Sequence, residues 1–286
     1  MEAQGLCDLH THTTASDGML SPAENVRLAR QKGLAAVAIT DHDTVAGIPE
    51  ALEAARQYGI TVVPGIEIST RMKGKDIHVL GYYMDYRESV FLERLEGLRR
   101  TRDERNGLII ARLNELGIPI TIEEVENRLG RPLEPDETLG RPHIADVLVA
   151  KGFAADFRDA FDKYLAEGAA AYVSVPRLSP GEACQWIREA GGVPVLAHPG
   201  LYGDDELVCS IIEQDKPAGL EVSHSDHNAA AEAKYRSMAE SYGLIPTGGS
   251  DFHGVRQGVV FHGELGGRTV SIRALDLLQA AAQERA

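Results

Sequence analysis

The sequence predicts an α/β fold, a TIM-like (β/α) barrel that is interrupted by a small helical domain. Two observations predict the barrel: short apolar segments alternate with segments of helical periodicity, and ionisable residues directly follow many of the apolar segments. Repeated strand–helix–strand units form right-handed crossovers, and a barrel gathers the carboxyl ends of its strands at one mouth. A long charged helical pattern that begins near residue 88 breaks this alternation and predicts the insertion.

Composition limits the class of protein and its partners. The chain has 286 residues, of which 43% are hydrophobic and 25% charged, as in compact soluble proteins. The formal net charge of −14 argues against a duplex-DNA binder, because affinity for a polyanion comes mainly from Lys and Arg. No apolar run reaches the roughly 20 residues that span a bilayer, and the N-terminus lacks signal-peptide features. We therefore expect a cytoplasmic protein without membrane association, and nothing indicates an obligatory protein partner.

The first half of the barrel alternates regularly. A capping box at Ser21 and Glu24 predicts a helix to about Lys32, and helical periodicity from Ile48 to Tyr58 ends at Gly59. The predicted strands around these helices are 5–10, 35–39, 61–68 and 76–84. Each strand carries or precedes His, Asp or Glu.

The insertion is predicted to be all-helical. A helical pattern covers about 88–116, a capping box at Thr121 and Glu124 starts a second helix, and Pro142 is placed to start a third. The predicted boundaries are 1–98 and 169–286 for the metal-binding barrel, and 99–168 for the helical domain that covers the substrate.

The alternation resumes after the insertion. Ser179 and Glu182 form another predicted capping box, and a buried strand at 193–197 ends at His198. The elements that follow are helices at 205–213 and 228–242, a strand at 219–224, and a last barrel strand from residue 245 that leads into GGSDFHG.

Nine ionisable residues fall at or near the predicted strand ends, where closure of a barrel would gather them. A single His is more often a surface or core residue than a ligand, but their shared position favours metal binding. These side chains suit Zn, Mn or Fe, they are too many for one ion, and they lack the thiolates of a structural zinc site. They are His10, His12, Asp17, His42, Glu67, His78, His198, Asp251 and His253.

Three further carboxylates lie beside these histidines. Asp8, Asp41 and Asp43 are placed to accept imidazole N–H groups and so orient the ligands, although exposed loop positions explain them equally well. Cys7, Cys184 and Cys209 are odd in number and far apart, which predicts unpaired thiols.

The motifs DLHTHTTASDG, TDHDT, AHPG and GSDFHG, together with the Glu67 strand, resemble those of the polymerase and histidinol phosphatase (PHP) family of metallophosphoesterases. The resemblance covers about 1–85 and 170–260. It implies a distorted seven-stranded barrel that holds two to three divalent ions. It further implies phosphoester hydrolysis by a metal-bound hydroxide, which Glu67, Asp17 and Asp251 would hold in place.

The resemblance also implies how the ligands divide. One ion would be held by His10, His12, Glu67 and Asp251. A second would share Glu67 and be held by His78 and His198, and a third by Asp17, His42 and His253. Some family members have His where this chain has Asp17, and a carboxylate favours harder ions, so manganese is the first choice and zinc or iron the alternatives.

The segment GRPHIA at 140–145 resembles a stand-alone branch of the family that acts on nucleotides. Arg141 and His143 at this helix start are candidates to bind a phosphate, as is His224, which could also protonate the leaving group. The helix start alone has an ordinary structural explanation. His227 and His262 are given no role.

The leading hypothesis is removal of the 3′-phosphate from a small bisphosphorylated nucleotide, such as 3′-phosphoadenosine 5′-phosphate. The charge of −14 favours a small nucleotide or a short RNA 5′ end over long RNA. The alternatives are a 5′–3′ exoribonuclease on short RNA, a histidinol-phosphate-type phosphomonoesterase and a non-catalytic binding module. A deaminase or amidase has no sequence feature in its favour.

Overall fold

The computed structural model describes residues 5–283, and its main sheet is a nearly closed barrel. The strands are β1 (Leu6–Asp8), β2 (Ala36–Ile39), β3 (Thr61–Met72), β4 (Lys75–Tyr82), β5 (Val193–Leu196), β6 (Gly219–His224), β7 (Ile245–Gly249), β8 (Val255–Arg256), β9 (Val259–Val260) and β10 (Val270–Ser271). The order in the sheet is β10-β1-β2-β3-β4-β5-β6-β7, and β8 pairs separately with β9.

Within residues 5–283, helices alternate with strands through much of the barrel, but none separates β3 from β4 or lies between β7 and β10, and one long stretch is entirely helical. They are α1 (Pro22–Gln31), α2 (Ile48–Tyr58), α3 (Ser89–Glu115), α4 (Ile122–Asn127), α5 (Arg141–Ala150), α6 (Phe157–Ala160), α7 (Pro180–Glu189), α8 (Asp205–Asp215), α9 (Ala229–Tyr242) and α10 (Arg273–Gln283). Capping boxes begin α1, α4 and α7, which confirms the three that the sequence predicts. A π-helical turn follows α6, and a 3₁₀ turn follows β5.

Backbone hydrogen bonds bring the two ends of the sheet together. The amide of Leu9, just after β1, donates to the carbonyl of Gly248 on β7 at 3.2 Å, and the amide of Asp251 donates to the carbonyl of His10 at 2.9 Å. The first and last motifs of the sequence therefore lie side by side, and the predicted TIM-like barrel is confirmed.

Two strands of the main sheet run against the predicted direction, namely β4 and the short β10, which is antiparallel to β1. β4 is antiparallel to both β3 and β5, whereas uninterrupted strand–helix alternation would make every pair parallel. Only Lys73 and Gly74 connect β3 to β4, with φ of 50° and 84°, and such a two-residue turn makes a hairpin rather than a crossover. The hairpin is the distortion of the barrel, and it places His78 opposite Ser69 at the mouth.

Three clusters of buried apolar side chains hold the helices against the sheet. The first joins β1, β4 and β5 to α10 through residues such as Leu80 and Leu278. The second packs α1 and α2 on β2 and β3, and includes Val26 and Ile39. The third packs α8 and α9 on β5 and β6. Each fully buried aliphatic side chain contributes about 1.5–3 kcal/mol of transfer free energy. The packing of the apolar helix faces on the sheet therefore stabilises the barrel whose loops carry the polar residues.

The chain divides into two compact units. One comprises Met1–Glu93 with Arg177–Ala286 and contains the barrel, and the other is the helical unit Arg94–Pro176. The predicted insertion, 99–168, falls within the second unit. Inside that unit the buried Asn106 donates its side-chain amide to the carbonyl of Leu139 at 3.0 Å, which ties α3 to the segment before α5. Among residues 5–283 no helix has the length and apolar character that crossing a bilayer requires.

Candidate metal centre

Every predicted metal ligand lies at one mouth of the barrel, because the strands deliver them there from both halves of the sequence. Most of these side chains are buried, and His42 and His78 keep side-chain exposures of 13% and 22%. The segments that carry them are the loop after β1, the loop after β2, the β3–β4 hairpin, the turn after β5 and the loop after β7.

Glu67 lies between two sets of imidazoles. Its Oε1 is 2.8 Å from His78 Nδ1 and 3.0 Å from His198 Nε2. Its Oε2 is 3.4 Å from His10 Nε2 and 3.2 Å from His12 Nε2. The two oxygens of one carboxylate thus face different groups of nitrogens, which is the arrangement a bridging ligand needs.

A second carboxylate completes the group around His10 and His12. Asp251 Oδ1 is 3.4 Å from His10 Nε2 and 3.1 Å from His12 Nε2. Ligand atoms at about 2.1 Å from a common tetrahedral or octahedral ion are spaced by about 3.0–3.4 Å. The spacings among Glu67, Asp251 and the two imidazoles match this value.

Asp17 gathers a further group. His253 Nε2 is 3.3 Å from Asp17 Oδ1, and His42 Nε2 is 3.9 Å from Asp17 Oδ2. The other ring nitrogen of His253 contacts the Asp251 carbonyl at 2.8 Å, which leaves Nε2 directed at Asp17. The atoms of His12, Asp17, His42 and His253 that could bind a metal ion lie within 4.8 Å of one another.

The polar atoms at the centre lack the donors that would satisfy them. His10 Nδ1 contacts the Glu221 carboxylate at 3.0 Å, which makes Nδ1 the protonated nitrogen and leaves the lone pair of Nε2 facing Glu67 and Asp251. His10 Nε2 and Asp251 Oδ1 are buried without a hydrogen-bond partner. Acceptors that converge in a buried space are stabilised by a cation, so these residues fit divalent metal ions.

Glu221 is a site residue that the predicted ligand set omits. It lies on β6, is fully buried, and besides His10 it accepts the His198 amide at 2.8 Å. It therefore orients one imidazole and one backbone turn of the centre. The available sequence signal was a carboxylate between Leu220 and Val222 in the predicted strand, since a buried carboxylate needs a partner.

Asp8 and Asp41 do not orient imidazoles, and neither is exposed. Asp8 accepts the amides of His10, Ser250 and Gly266, and Asp41 accepts the amide and hydroxyl of Thr13. Both are buried, and burial raises the pKa of Asp8 to about 6 against the hydrogen bonds that lower it. These carboxylates tie together the loops that bear the ligands.

Imidazoles surround the carboxylates of the cluster and balance their charge. Burial alone would raise the pKa of Glu67, but the surrounding histidines, led by His78 and His42, hold it well below its usual range. The pKa of Asp251 is likewise lowered, chiefly by His262 and His10 against burial. Burial lowers the pKa of His12, yet Asp251 and Glu67 outweigh it and raise that pKa to about 10. Bound cations would replace the protons on these imidazoles.

Two of the predicted metal ligands have a strained backbone conformation, and two of the segments that carry ligands approach each other closely. Asp251 and His198 adopt φ of 54° and 20°, in a region that residues with a Cβ rarely occupy. A Cβ on Gly249 would lie 2.3 Å from the backbone nitrogen of His10, so only glycine allows the two motifs to meet. The geometry of the mouth therefore depends on backbone positions as well as ligand types.

The predicted substrate residues fall in two places. His224 ends β6, is fully buried, and its Nε2 is 3.3 Å from Asp251 Oδ2, so it belongs to the mouth. Arg141 and His143 begin α5 in the helical unit, where the Gly140 amide donates to His143 Nδ1 at 2.9 Å and Arg141 donates to the Leu165 carbonyl at 3.3 Å. Their contact with substrate stays a prediction.

His227 and His262, the two histidines without a predicted role, lie in different surroundings. His227 is a structural residue: its Nδ1 contacts the Val222 carbonyl at 2.9 Å and its Nε2 accepts the Gly200 amide at 3.0 Å. His262 lies at the mouth, with Nε2 3.5 Å from Asp251 Oδ2. No motif surrounds His262, so no sequence signal marks it as a residue of the site.

Comparison with known proteins gives relatives along most of the chain. The family model described as PHP domain matches residues 8–129. A 3′,5′-nucleoside bisphosphate phosphatase from Chromobacterium violaceum is 34% identical over 255 residues, which is 88% of each chain. The 5′–3′ exoribonuclease Rnm of Escherichia coli is 35% identical over 86% of this chain and 84% of its own. The crystal structure of a protein from Bifidobacterium adolescentis, proposed to be a metal-dependent phosphoesterase, superposes with a TM-score of 0.86 at 32% identity, covering 97% of this chain and 96% of its own.

Proposed function

The chain belongs to the PHP-domain family, and from that premise we propose that it is a metal-dependent phosphoesterase that removes the 3′-phosphate from small 3′,5′-bisphosphorylated nucleotides. The observation that carries the proposal is the position of Glu67, whose two oxygens face two groups of imidazoles at the mouth of the barrel. Such a shared carboxylate suits a site with more than one divalent ion, which is a recurring arrangement in phosphoester hydrolysis.

The metal ligands in this proposal are the nine residues that the sequence predicts. Glu67 would join two ions, and Asp17 with His42 and His253 would hold a third. When bound, the ions supply Lewis acidity toward phosphoryl oxygens and lower the pKa of water toward neutrality. Asp17 is a hard ligand, which supports manganese as the first choice over zinc or iron.

The charge of the centre supports binding of an anion only when enough ions are present. Asp17, Glu67, Asp251 and Glu221 supply about −4, and two or three divalent ions about +4 to +6, so the net charge is about 0 or +2. A third ion therefore makes the mouth positive despite the net charge of −14 on the chain.

The remaining predicted residues are proposed to contact substrate. His224 lies beside Asp251 at the mouth, where an imidazole can bind a phosphoryl oxygen or protonate a leaving group. Arg141 can bind a phosphate bidentately and His143 lies in the first turn of α5, so both are proposed to bind the nucleotide's phosphate groups. We also propose a cytoplasmic location, where nucleotides are available.

The same centre could cleave a phosphodiester. The relative named 5′–3′ exoribonuclease Rnm covers nearly as much of the chain as the phosphatase does, and it makes a short RNA 5′ end the second candidate substrate. The acidic charge of the chain favours the smaller substrate, because 43 Asp and Glu outnumber 29 Lys and Arg and the surplus of negative charge repels a polyanion.

Phosphate release from 3′-phosphoadenosine 5′-phosphate by the manganese-loaded protein tests the proposal. The control is Asp251→Ala, which removes a carboxylate that faces His10 and His12. We expect release from the unsubstituted protein to exceed the control by at least about a thousandfold. Equal release from both proteins would contradict the proposal, and release only from a 5′-phosphorylated oligoribonucleotide would favour the exonuclease.

A further inference from the structure

The β3–β4 hairpin continues beyond the candidate metal centre on the face that carries Glu67 and His78. In this antiparallel pair Ser69 lies opposite His78, and Arg71 lies opposite Asp76. Alternate residues of a strand share one face, so Arg71 and Asp76 lie on the same face of the hairpin as His78. They lie two residues closer to the turn, which is about 7 Å along the strands from the level of His78.

Asp76 lies between two arginines from different parts of the chain. Arg71 Nη1 is 3.1 Å from Asp76 Oδ1, and Arg177 Nη1 is 3.2 Å from Asp76 Oδ2. The backbone amide of Arg71 also donates to the carbonyl of Leu178 at 2.9 Å, which fixes the segment that carries Arg177 against β3. The two guanidinium groups are therefore held on either side of one carboxylate.

The arginine pair has more charge and more donors than Asp76 alone can satisfy. Two guanidinium groups against one carboxylate leave a local charge of about +1, and their roughly ten N–H donors exceed the roughly four acceptor positions of the carboxylate. The side chains of Arg71 and Arg177 are 19% and 10% exposed, so they are packed in place and still reached by solvent. A guanidinium in a fixed position can donate two parallel hydrogen bonds to a phosphate group.

The tip of the hairpin adds positive charge to this region. The segment 68–75 contains no Asp or Glu and three cations, Arg71, Lys73 and Lys75, in a chain whose net charge is −14. Lys73 is exposed in the turn between the two strands. The hairpin therefore attracts an anion to this side of the mouth despite the net charge of the chain.

From this geometry we propose that Arg71 and Arg177 bind the 5′-phosphate of the substrate while the phosphate on its 3′ side occupies the metal centre. The proposal rests on the proposed phosphoesterase function and adds to it the group that is recognised without being hydrolysed. The offset of two residues between His78 and Asp76 is of the same order as the separation of the 3′- and 5′-phosphates of one nucleotide. Both candidate substrates carry this group, since a 5′-phosphorylated RNA also places it one sugar away from the bond that is cleaved.

The test measures whether each arginine interacts with the 5′-phosphate itself. Two adenosine 3′-phosphate analogues with a methylene group in place of the 3′ ester oxygen resist hydrolysis, and only one of them carries a 5′-phosphate. Calorimetry gives the Kd of each analogue for the manganese-loaded protein and for Arg71→Gln and Arg177→Gln, and elemental analysis gives the metal content. The matched control is Arg56→Gln, which removes the same charge from the exposed last turn of α2, where Arg56 pairs with Glu53.

We expect each of the two variants to weaken binding of the 5′-phosphorylated analogue by about tenfold or more, because a charge-assisted hydrogen bond is lost. Binding of the analogue without a 5′-phosphate, the metal content and the Arg56→Gln control should be unchanged. Arg71→Lys keeps a charge beside Asp76 and should lose less affinity than Arg71→Gln, again only for the 5′-phosphorylated analogue.

Equal weakening of both analogues would overturn the proposal, because it would place the arginines at the 3′-phosphate or give them a purely structural role. Unchanged affinity for both analogues would overturn it as well. A matched pair of short oligoribonucleotides with the same methylene replacement at the first linkage distinguishes the two sources of the 5′-phosphate: a selective loss with this pair alone would identify an RNA end as the ligand. Binding is measured without turnover, so failure of the proposed function would show separately as absent phosphate release.

Discussion

Glu67 contacts imidazoles of the candidate metal centre through both of its carboxylate oxygens. Since its two oxygens face different imidazole groups, Glu67→Gln should reduce the bound metal by at least one ion per chain and the rate of phosphate release by about a thousandfold or more. Elemental analysis after dialysis measures the first effect. The matched control is Glu264→Gln, because Glu264 pairs with Lys32 away from the centre. Equal metal content in both variants would contradict the bridging role.

Glu221 acts through His10 rather than on an ion. Gln in its place keeps the shape but loses the charge that fixes Nδ1 as the protonated nitrogen, so Glu221→Gln should weaken metal affinity by about 10–100-fold. Competition with a metal-sensitive dye measures the affinity. If affinity stays at the unsubstituted value, the orientation of His10 does not depend on this carboxylate.

The reactivity of Cys7 toward a thiol reagent tests whether β1, the strand that precedes His10, is buried in solution. All three thiols are free, as predicted; Cys7 and Cys184 are buried, and burial raises the pKa of Cys7 to about 11. At pH 8 Cys7 is therefore protonated, and a thiol reagent should modify at most Cys209 in the native protein and all three after denaturation. Fast native-state labelling of Cys7 would show that the β1 end of the barrel opens readily.

At the scale of single elements, most of the barrel is predictable because its signals are local. Capping residues locate the helices, and apolar runs locate β2, β3 and β5. The direction of β4 is not local: Lys73-Gly74 lacks the Asn-Gly or Asp-Gly pattern of a two-residue hairpin, so the sequence did not reveal the reversal. β8, β9 and β10 have two residues each, too few to show any periodicity.

The packing of β7 against the segment that carries His10 requires glycine at position 249. Gly249→Ala would place a methyl group 2.3 Å from the His10 backbone nitrogen and should lower the free energy of unfolding by about 1–3 kcal/mol or more, with loss of metal. Denaturant unfolding measures the change.

An exposed glycine in α3 is the control for that substitution. A Cβ on Gly107 meets nothing within 4 Å, so Gly107→Ala should stabilise the protein by about 0.5–1 kcal/mol through helix propensity. Equal effects of the two substitutions would show that the close approach of β7 to His10 does not limit stability.

For the whole molecule, the nine predicted ligands come together because barrel closure joins positions as distant as His10 and Asp251. The pattern of strand ends sufficed to predict this gathering. It did not reveal Glu221 or His262: the first lies inside a strand, and the second is brought to the mouth by a loop and by contact with Asp226. Residues that act through tertiary contacts leave no spacing signal in the chain.

Metal binding should be linked to the stability of the fold, since the ligands come from both ends of the barrel sequence. A ligand at a hundredfold excess over its Kd stabilises the native state by about 2.7 kcal/mol. Chelation should therefore lower Tm by several degrees, and re-addition of manganese should restore it. A Tm that is the same with chelator and with manganese would contradict occupation of the centre.

The most direct measurement of the central claim identifies which phosphate leaves. Phosphorus NMR of 3′-phosphoadenosine 5′-phosphate incubated with the manganese-loaded protein follows both phosphate groups at once. We predict loss of the 3′ signal, growth of inorganic phosphate and retention of the 5′-monophosphate, with Asp251→Ala inactive. Loss of the 5′ signal first, or an unchanged substrate under conditions in which the protein degrades a short oligoribonucleotide, would contradict the account.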